Sequence, residues 1–174
     1  MPNVQLANKI KDSINIFFMS KEYLNFYNNL VKLTSNKYLY KDIVNEQDVF
    51  ADRLSIFLFH FAFILKEFKN EENEKTLQEL YDFNFRQLEL TIREIGYGDQ
   101  SINKKMKDYI NLFHGIISEI HFWDEINFDK KTSCLTNFLQ NFKNNEFLVD
   151  YFDNFSSDLK KYNLNSYLKS VNNL

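Results

Sequence analysis

The sequence of 174 residues has few of the residues that reverse or cross-link a chain: three glycines, one proline and one cysteine. Strand-rich folds need turn-forming residues at every reversal, so this shortage disfavours a sandwich or a barrel. Cys134 has no second cysteine to pair with, which excludes an internal disulfide and a zinc site built from several thiolates. The composition therefore favours an all-helical fold.

A strong charge of one sign is also missing, since 21 basic residues face 24 acidic ones and the formal net charge is −3. This balance gives no electrostatic reason to bind a phosphate backbone, and we expect no DNA partner. The first 20 residues lack both the basic start plus apolar run of a secretory signal and the Arg-rich composition of a mitochondrial presequence. We therefore expect the chain to begin at its mature end and to act in a bacterial cytoplasm.

Aromatic residues are plentiful, at 17% of the chain, within a hydrophobic fraction of 44%. A chain of this length and composition predicts one globular domain over residues 1–174. Large rings can fill a core or face a partner, and composition does not separate the two uses.

Apolar residues recur at steps of three and four, which predicts about seven to eight helices. Their predicted ranges are two helices within 3–36 with a break near 18–20, then 49–69, 74–95, 102–123, 134–142, 146–161 and 166–171. The first of them could be peripheral to a main unit at 23–162. The helix at 49–69 is apolar almost all round, yet charged residues at both ends make the run too short to span a membrane. We expect it to be the buried central helix of the bundle.

Residues that commonly cap helices predict where several of the helices begin or end. Asp48 and Ser101 have the side chains of N-caps, and Gly96 follows a helix where a left-handed C-cap is easiest. Residues 97–99 are predicted to form a tight turn. The acidic stretch at 70–74 is predicted to be a solvated linker.

No catalytic motif accompanies the usual reactive side chains, His60, His114, His121 and Cys134. We expect these four to be packed or hydrogen-bonded rather than to bind a metal or attack a substrate, and we expect no cofactor. Two alternatives stay open. One is a helical hydrolase-type enzyme that uses Glu94, Asp99 and a histidine in one cleft, and the other is a structural bundle that homodimerises through aromatic surface.

The segment IREIGYGDQSINKKMK is the most distinctive part of the chain. Its turn is formed by Arg93, Glu94, Gly96, Gly98 and Asp99, and Asp99 is a further candidate cap. Three cations at a helix start oppose the helix macrodipole, so we interpret them as a contact surface rather than as stabilising groups. The predicted partner-binding residues are Lys104, Lys105, Lys107 and Arg53, which opens the central helix. If Gly98 has a positive φ, valine there should disturb the turn.

This segment resembles the signature of the ubiquinol-cytochrome c chaperones, Leu-Arg-Glu-Met-Gly-Val-Gly-Asp followed by a basic run ending in Met-Lys. The match here is Ile92–Asp99 and then Lys104–Lys107. Further landmarks that fall at similar distances are Asp48, Arg53, His60, Gln78, Leu80, Asp82, Phe85, Phe113, His114, Gly115, Leu135, Asn141, Phe142 and Tyr151. Together they cover about residues 23–162.

Three positions depart from the family pattern. Gln47 stands in place of a proline, Glu89 in place of an aspartate, and Ile116 in place of an arginine. Glutamate for aspartate keeps the charge. The change at 116 removes a guanidinium that could have paired with a carboxylate or bound a partner.

The resemblance implies a non-catalytic, all-helical assembly factor for the cytochrome bc1 complex. It implies that the chain binds newly made cytochrome b, in some versions with a small helical co-chaperone. We expect no haem binding by the chain itself. The lysines could then face a ribosome or an anionic membrane surface. The expected location is peripheral at the bacterial inner membrane, or the mitochondrial matrix in a eukaryote.

Overall fold

The computed structural model describes residues 21–36, 39–40, 50–143 and 145–171. Within these ranges the chain forms seven α-helices and no β-strand, as the sequence predicts. The helices are α1 (residues 21–34), α2 (Phe50–Glu67), α3 (Glu74–Glu94), α4 (Asp99–Ile120), α5 (Phe128–Phe138), α6 (Asn145–Leu159) and α7 (Leu164–Val171). The predicted helix before residue 18 and the predicted cap at Asp48 lie outside the described residues.

Helix α2 is the centre of the bundle because its aromatic side chains point in several directions. Phe61 stacks on Phe113 of α4 with the ring centroids 5.2 Å apart, and Phe63 stacks on Phe152 of α6 at 5.1 Å. Phe26 of α1 meets Phe61 from another side at 6.1 Å. All five rings are fully buried, and each contributes about 1.5–3 kcal/mol of burial free energy. The predicted buried central helix is confirmed.

Helix α4 begins and ends three residues earlier than predicted. Gly98 is its N-cap, in extended backbone, and the Gly98 carbonyl accepts the Ile102 N–H at 3.0 Å. Ser101 therefore lies inside the first turn, and its predicted role as the cap is wrong. At the other end, Trp123 lies beyond the helix and donates its indole N–H to Asp153 of α6 at 2.6 Å.

Helix α5 also begins earlier than predicted, at residue 128 rather than 134. The polar string that looks like a loop is helical because the Asn127 side chain accepts the Lys130 N–H at 3.0 Å and caps the helix. The helix ends at Phe138, where Leu139 leaves helical geometry. Helices α6 and α7 begin one and two residues before their predicted starts, and Asn163 and Ser166 cap α7 reciprocally.

Candidate functional site

The predicted signature turn joins α3 to α4, and an ion-pair clasp spans it. Arg93 donates to the Glu89 carboxylate from Nε and Nη2, at 3.1 and 2.8 Å, and to Asp99 from Nη1 at 2.5 Å. Both carboxylates raise the pKa of Arg93 by these hydrogen bonds. Because the three side chains are largely solvent-exposed, the clasp adds little to stability, and it links the end of α3 to the start of α4. We refer to residues 89–108 as the corner.

Gly96 is the residue on which the geometry of the corner depends. It follows the end of α3 with φ +98°, a conformation that L side chains rarely adopt, and the predicted left-handed cap is confirmed. Gly98 has φ −72°, and a Cβ added there would meet nothing within 4 Å. The condition on which valine at 98 would disturb the turn is therefore not met.

We expect Gly96→Ala to lower the free energy of unfolding by about 1 kcal/mol, because alanine resists a positive φ. Gly98→Ser is the control and should change the free energy of unfolding much less, since the extended backbone of Gly98 suits any residue and serine is a good N-cap. Urea denaturation of the two variants measures the difference. Equal destabilisation would contradict the assigned roles of the two glycines.

The corner also exposes apolar side chains that the sequence pattern did not single out. Ile95 and Tyr97 are 53% and 43% exposed, and Leu90 on the last turns of α3 is similarly open. The Lys105 ammonium lies 4.4 Å from the centre of the Tyr97 ring and holds it in a cation–π contact. Large exposed side chains on a rigid turn have the form of a protein contact site.

The lysines at this corner do not form a positive patch. Lys104 and Lys107 are exposed and Lys105 is half-buried, but residues 89–108 contain four acidic and four basic side chains. The balance gives no electrostatic reason for a ribosome or an anionic bilayer to attract this surface. A protein partner that offers apolar area and mixed charge fits it better.

Arg53, the fourth predicted partner-binding residue, lies on α2 and contacts Tyr40. Its guanidinium carbon is 5.7 Å from the centre of the Tyr40 ring, in the connection before α2. Its predicted role in partner binding remains a prediction.

The arrangement required for the enzyme alternative is not found. Glu94 is exposed and the Asp99 side chain is 84% exposed, so neither carboxylate lies in a closed pocket. His114 lies on the same helix as Asp99, about 22 Å along its axis by the helical rise. Among the described residues, no group of three His, Cys, Asp or Glu side chains could hold a metal ion.

The other candidate reactive residues are either buried in the core or packed against other side chains at the surface. His60 is fully buried, with Nδ1 2.8 Å from the Ile56 carbonyl and Nε2 2.6 Å from the Tyr151 hydroxyl. Burial lowers the pKa of His60 to about 4 and raises the pKa of the Cys134 thiol to about 12. Neither group is therefore charged near neutral pH.

The family is decided by a sequence comparison. Residues 43–140, more than half of the chain, match the family described as ubiquinol-cytochrome C chaperone. The chain belongs to this family. No curated protein matches this chaperone in sequence.

A solved structure shares its fold. The crystal structure of the Cbp3 homolog from Brucella abortus superposes with a TM-score of 0.73 at 20% identity, covering 95% of this chaperone and 92% of that chain. At this identity the similarity concerns the fold.

Two family departures have a clear structural result in this chaperone. Ile116 is fully buried in the core, so an apolar side chain suits the position that holds arginine in the family pattern. Glu89 is one half of the clasp on Arg93. The i to i+4 spacing of these two charges was the sequence signal that could have identified the clasp.

Proposed function

We propose that this protein is a non-catalytic chaperone that binds newly made cytochrome b and holds it during assembly of the bc1 complex. Its family supports a protein partner in that assembly. Cytochrome b is a very apolar membrane protein, and a holder for it needs apolar surface that is open before binding.

The observation that carries this proposal is the exposed pair Ile95 and Tyr97 on a corner of fixed shape. The positive φ of Gly96 and the clasp of Arg93 set the backbone on both sides of the pair. A binding surface that is already ordered loses less conformational entropy when its partner arrives. Tyrosine is also among the residues most often found at the energetic centre of protein interfaces.

The chemistry proposed for this site is non-covalent. Apolar client surface covers Ile95 and Tyr97, while the lysines and carboxylates around them pair with polar groups at the edge of the client. No bond is made or broken, and the proposal requires no cofactor. Release follows when other subunits of the complex compete for the same client surface.

We place this activity at the membrane surface where the client is inserted, the inner membrane of a bacterium or the matrix side in a mitochondrion. None of the helices in the described part of the chain is long and apolar enough to cross a bilayer. The protein is then held at the membrane by its bound client, because the balanced charge of the corner gives little attraction to the bilayer itself. Contact with a ribosome and the need for a small helical co-chaperone stay predictions.

We expect a variant with Ile95→Ser and Tyr97→Ser to recover about tenfold less tagged cytochrome b in co-isolation, because a hot-spot loss of 1.4 kcal/mol or more corresponds to that factor. Its melting temperature should stay close to that of the unmodified protein, since both side chains are exposed. Tyr162→Ser is the matched control, because Tyr162 is equally exposed but lies between α6 and α7.

Full recovery by the double variant would contradict the role of the corner. Normal bc1 levels after deletion of the protein would contradict the proposed function itself. Lys104→Glu with Lys105→Glu tests the membrane alternative separately, since loss of vesicle binding in that variant would show a direct attraction to lipid.

A further inference from the structure

A second open surface lies at the other end of α4, where it meets α5. The two helices form an open groove with a volume of about 350 Å³. Its lining residues are Ser118, Glu119, Phe122, Ile126, Lys130, Ser133, Cys134 and Asn137. Those from α5 follow the spacing i, i+3, i+4, i+7, so one face of that helix forms a wall about two turns long.

The segments that form this groove are packed and hydrogen-bonded on the side away from its opening. Asp153 accepts the indole N–H of Trp123 at 2.6 Å and the Lys131 ammonium at 2.8 Å. Gly115 lets the Phe138 ring lie close to α4, since a Cβ there would be 3.3 Å from the ring. The groove is therefore a feature of packed helices rather than of a loose loop.

The open face of the groove combines large apolar side chains with unpaired acids. Phe122 in the lining is 54% exposed, the most exposed of the large hydrophobic residues described, and Phe128 at the start of α5 is 43% exposed. Burial, and after it the charge of the nearby Glu119, raises the pKa of Cys134 in the lining. Single exposed rings are ordinary, but an exposed ring that lines a groove of this size is part of a surface that a partner can bury.

The exposed and unpaired charged side chains of the segment 119–130, which supplies one side of the groove, are mainly acidic. Glu119 and Lys130 line the groove, Glu125 and Asp129 are two further exposed acids of the same segment, and none of the four forms an ion pair within the described residues. The neighbouring Lys131 is already paired with Asp153. A partner with apolar and basic side chains on one face would complement this surface.

We propose that this groove binds a basic amphipathic helix of a partner protein. One apolar side chain of that helix fills the space between Phe122 and Ile126, and a lysine or arginine one turn away pairs with Glu119. Helix-in-groove binding uses this alternation of anchors. The groove lies about 20 Å along α4 from the lysines of the corner, so the proposal does not depend on the client site described above.

Two synthetic helical peptides test the proposal, one of leucine and lysine and one of leucine and glutamate with the same apolar pattern. Added to the full-length ¹⁵N-labelled protein, the leucine–lysine peptide should shift the amide signals of Ser118, Ser133 and Asn137. Its affinity should fall about tenfold in Phe122→Ser and in Glu119→Lys, and the leucine–glutamate peptide should bind at least tenfold more weakly. Tyr97→Ser is the control and should leave the affinity unchanged.

Equal binding of both peptides, shifts confined to residues outside the groove, or no binding of either peptide at millimolar concentration would overturn the proposal. Self-association of the protein that Phe122→Ser abolishes would also overturn it, since a second copy would then occupy the groove. Phe122→Ser should recover cytochrome b as well as the unmodified protein does. Failure of this proposal is thus distinguishable from failure of the corner.

Discussion

Acidification from pH 7 to pH 4.5 is expected to remove about 2 kcal/mol of stability through His60 alone. The fold favours neutral imidazole, because burial lowers the pKa of His60 from its ordinary 6.5 to about 4. As the pH falls below 6.5 the unfolded chain takes up a proton that the folded chain refuses. The contribution is therefore complete above pH 6.5 and is lost between pH 6.5 and about 4.

Urea denaturation at pH 7 and at pH 4.5 measures this loss. His60→Gln should show a smaller difference between the two pH values, even though it is less stable at both. His121→Gln is the matched control, since it replaces an exposed histidine and keeps the buried His60, so the loss of stability through His60 should persist. An unchanged pH difference in His60→Gln would contradict the assignment of the effect to this residue.

Asp153→Ala is expected to lower the free energy of unfolding by about 2 kcal/mol. The carboxylate of Asp153 accepts from the fully buried Trp123 and from the mostly buried Lys131. Its removal leaves the indole N–H without a partner, and an unsatisfied buried donor costs about 1–3 kcal/mol. The free ammonium can turn toward solvent, so it adds little to the cost.

The matched control is Asp158→Ala, on the same helix. Asp158 pairs with Lys161 at 2.6 Å, but both side chains are mostly exposed, and we expect no measurable change. Asp153→Asn keeps an acceptor for the indole and should fall between the other two variants in thermal denaturation. Equal stability of Asp153→Ala and Asp158→Ala would show that the contact with Trp123 does not hold the segment after α4.

Helical periodicity predicted the helices of the described part of the chain, but it did not predict all of their ends. The sequence analysis missed the start of α5 because residues 127–132 are mostly polar and show no apolar helical periodicity. Without that periodicity, Asn127 could not be recognised as the N-cap of a helix. The start of α4 was missed because Gly98 caps it with backbone alone. Trp123 has helical spacing, yet it lies in the turn after α4, where its backbone N–H is bonded to the Ile120 carbonyl and its indole N–H to Asp153 of α6.

The backbone turn and the ion pair of the candidate site were predictable from the sequence, but its exposed apolar side chains were not. The positive φ at Gly96 follows from a glycine directly after a helix, and the Glu89–Arg93 pair follows from helical spacing. Exposure of Ile95 and Tyr97 does not follow, because an apolar residue at the end of a helix is more often covered by the rest of the fold. Which helix ends stay exposed depends on how the helices pack against one another, and the local sequence pattern does not show that packing.

The most direct test of the central claim places a photoreactive benzophenone side chain at position 97 in cells that translate tagged cytochrome b. The same group at position 162, an equally exposed tyrosine away from the corner, is the control. We expect cross-links to cytochrome b from position 97 and none from position 162. Equal yields from both positions, or none from position 97 in a protein that still supports bc1 assembly, would contradict the account.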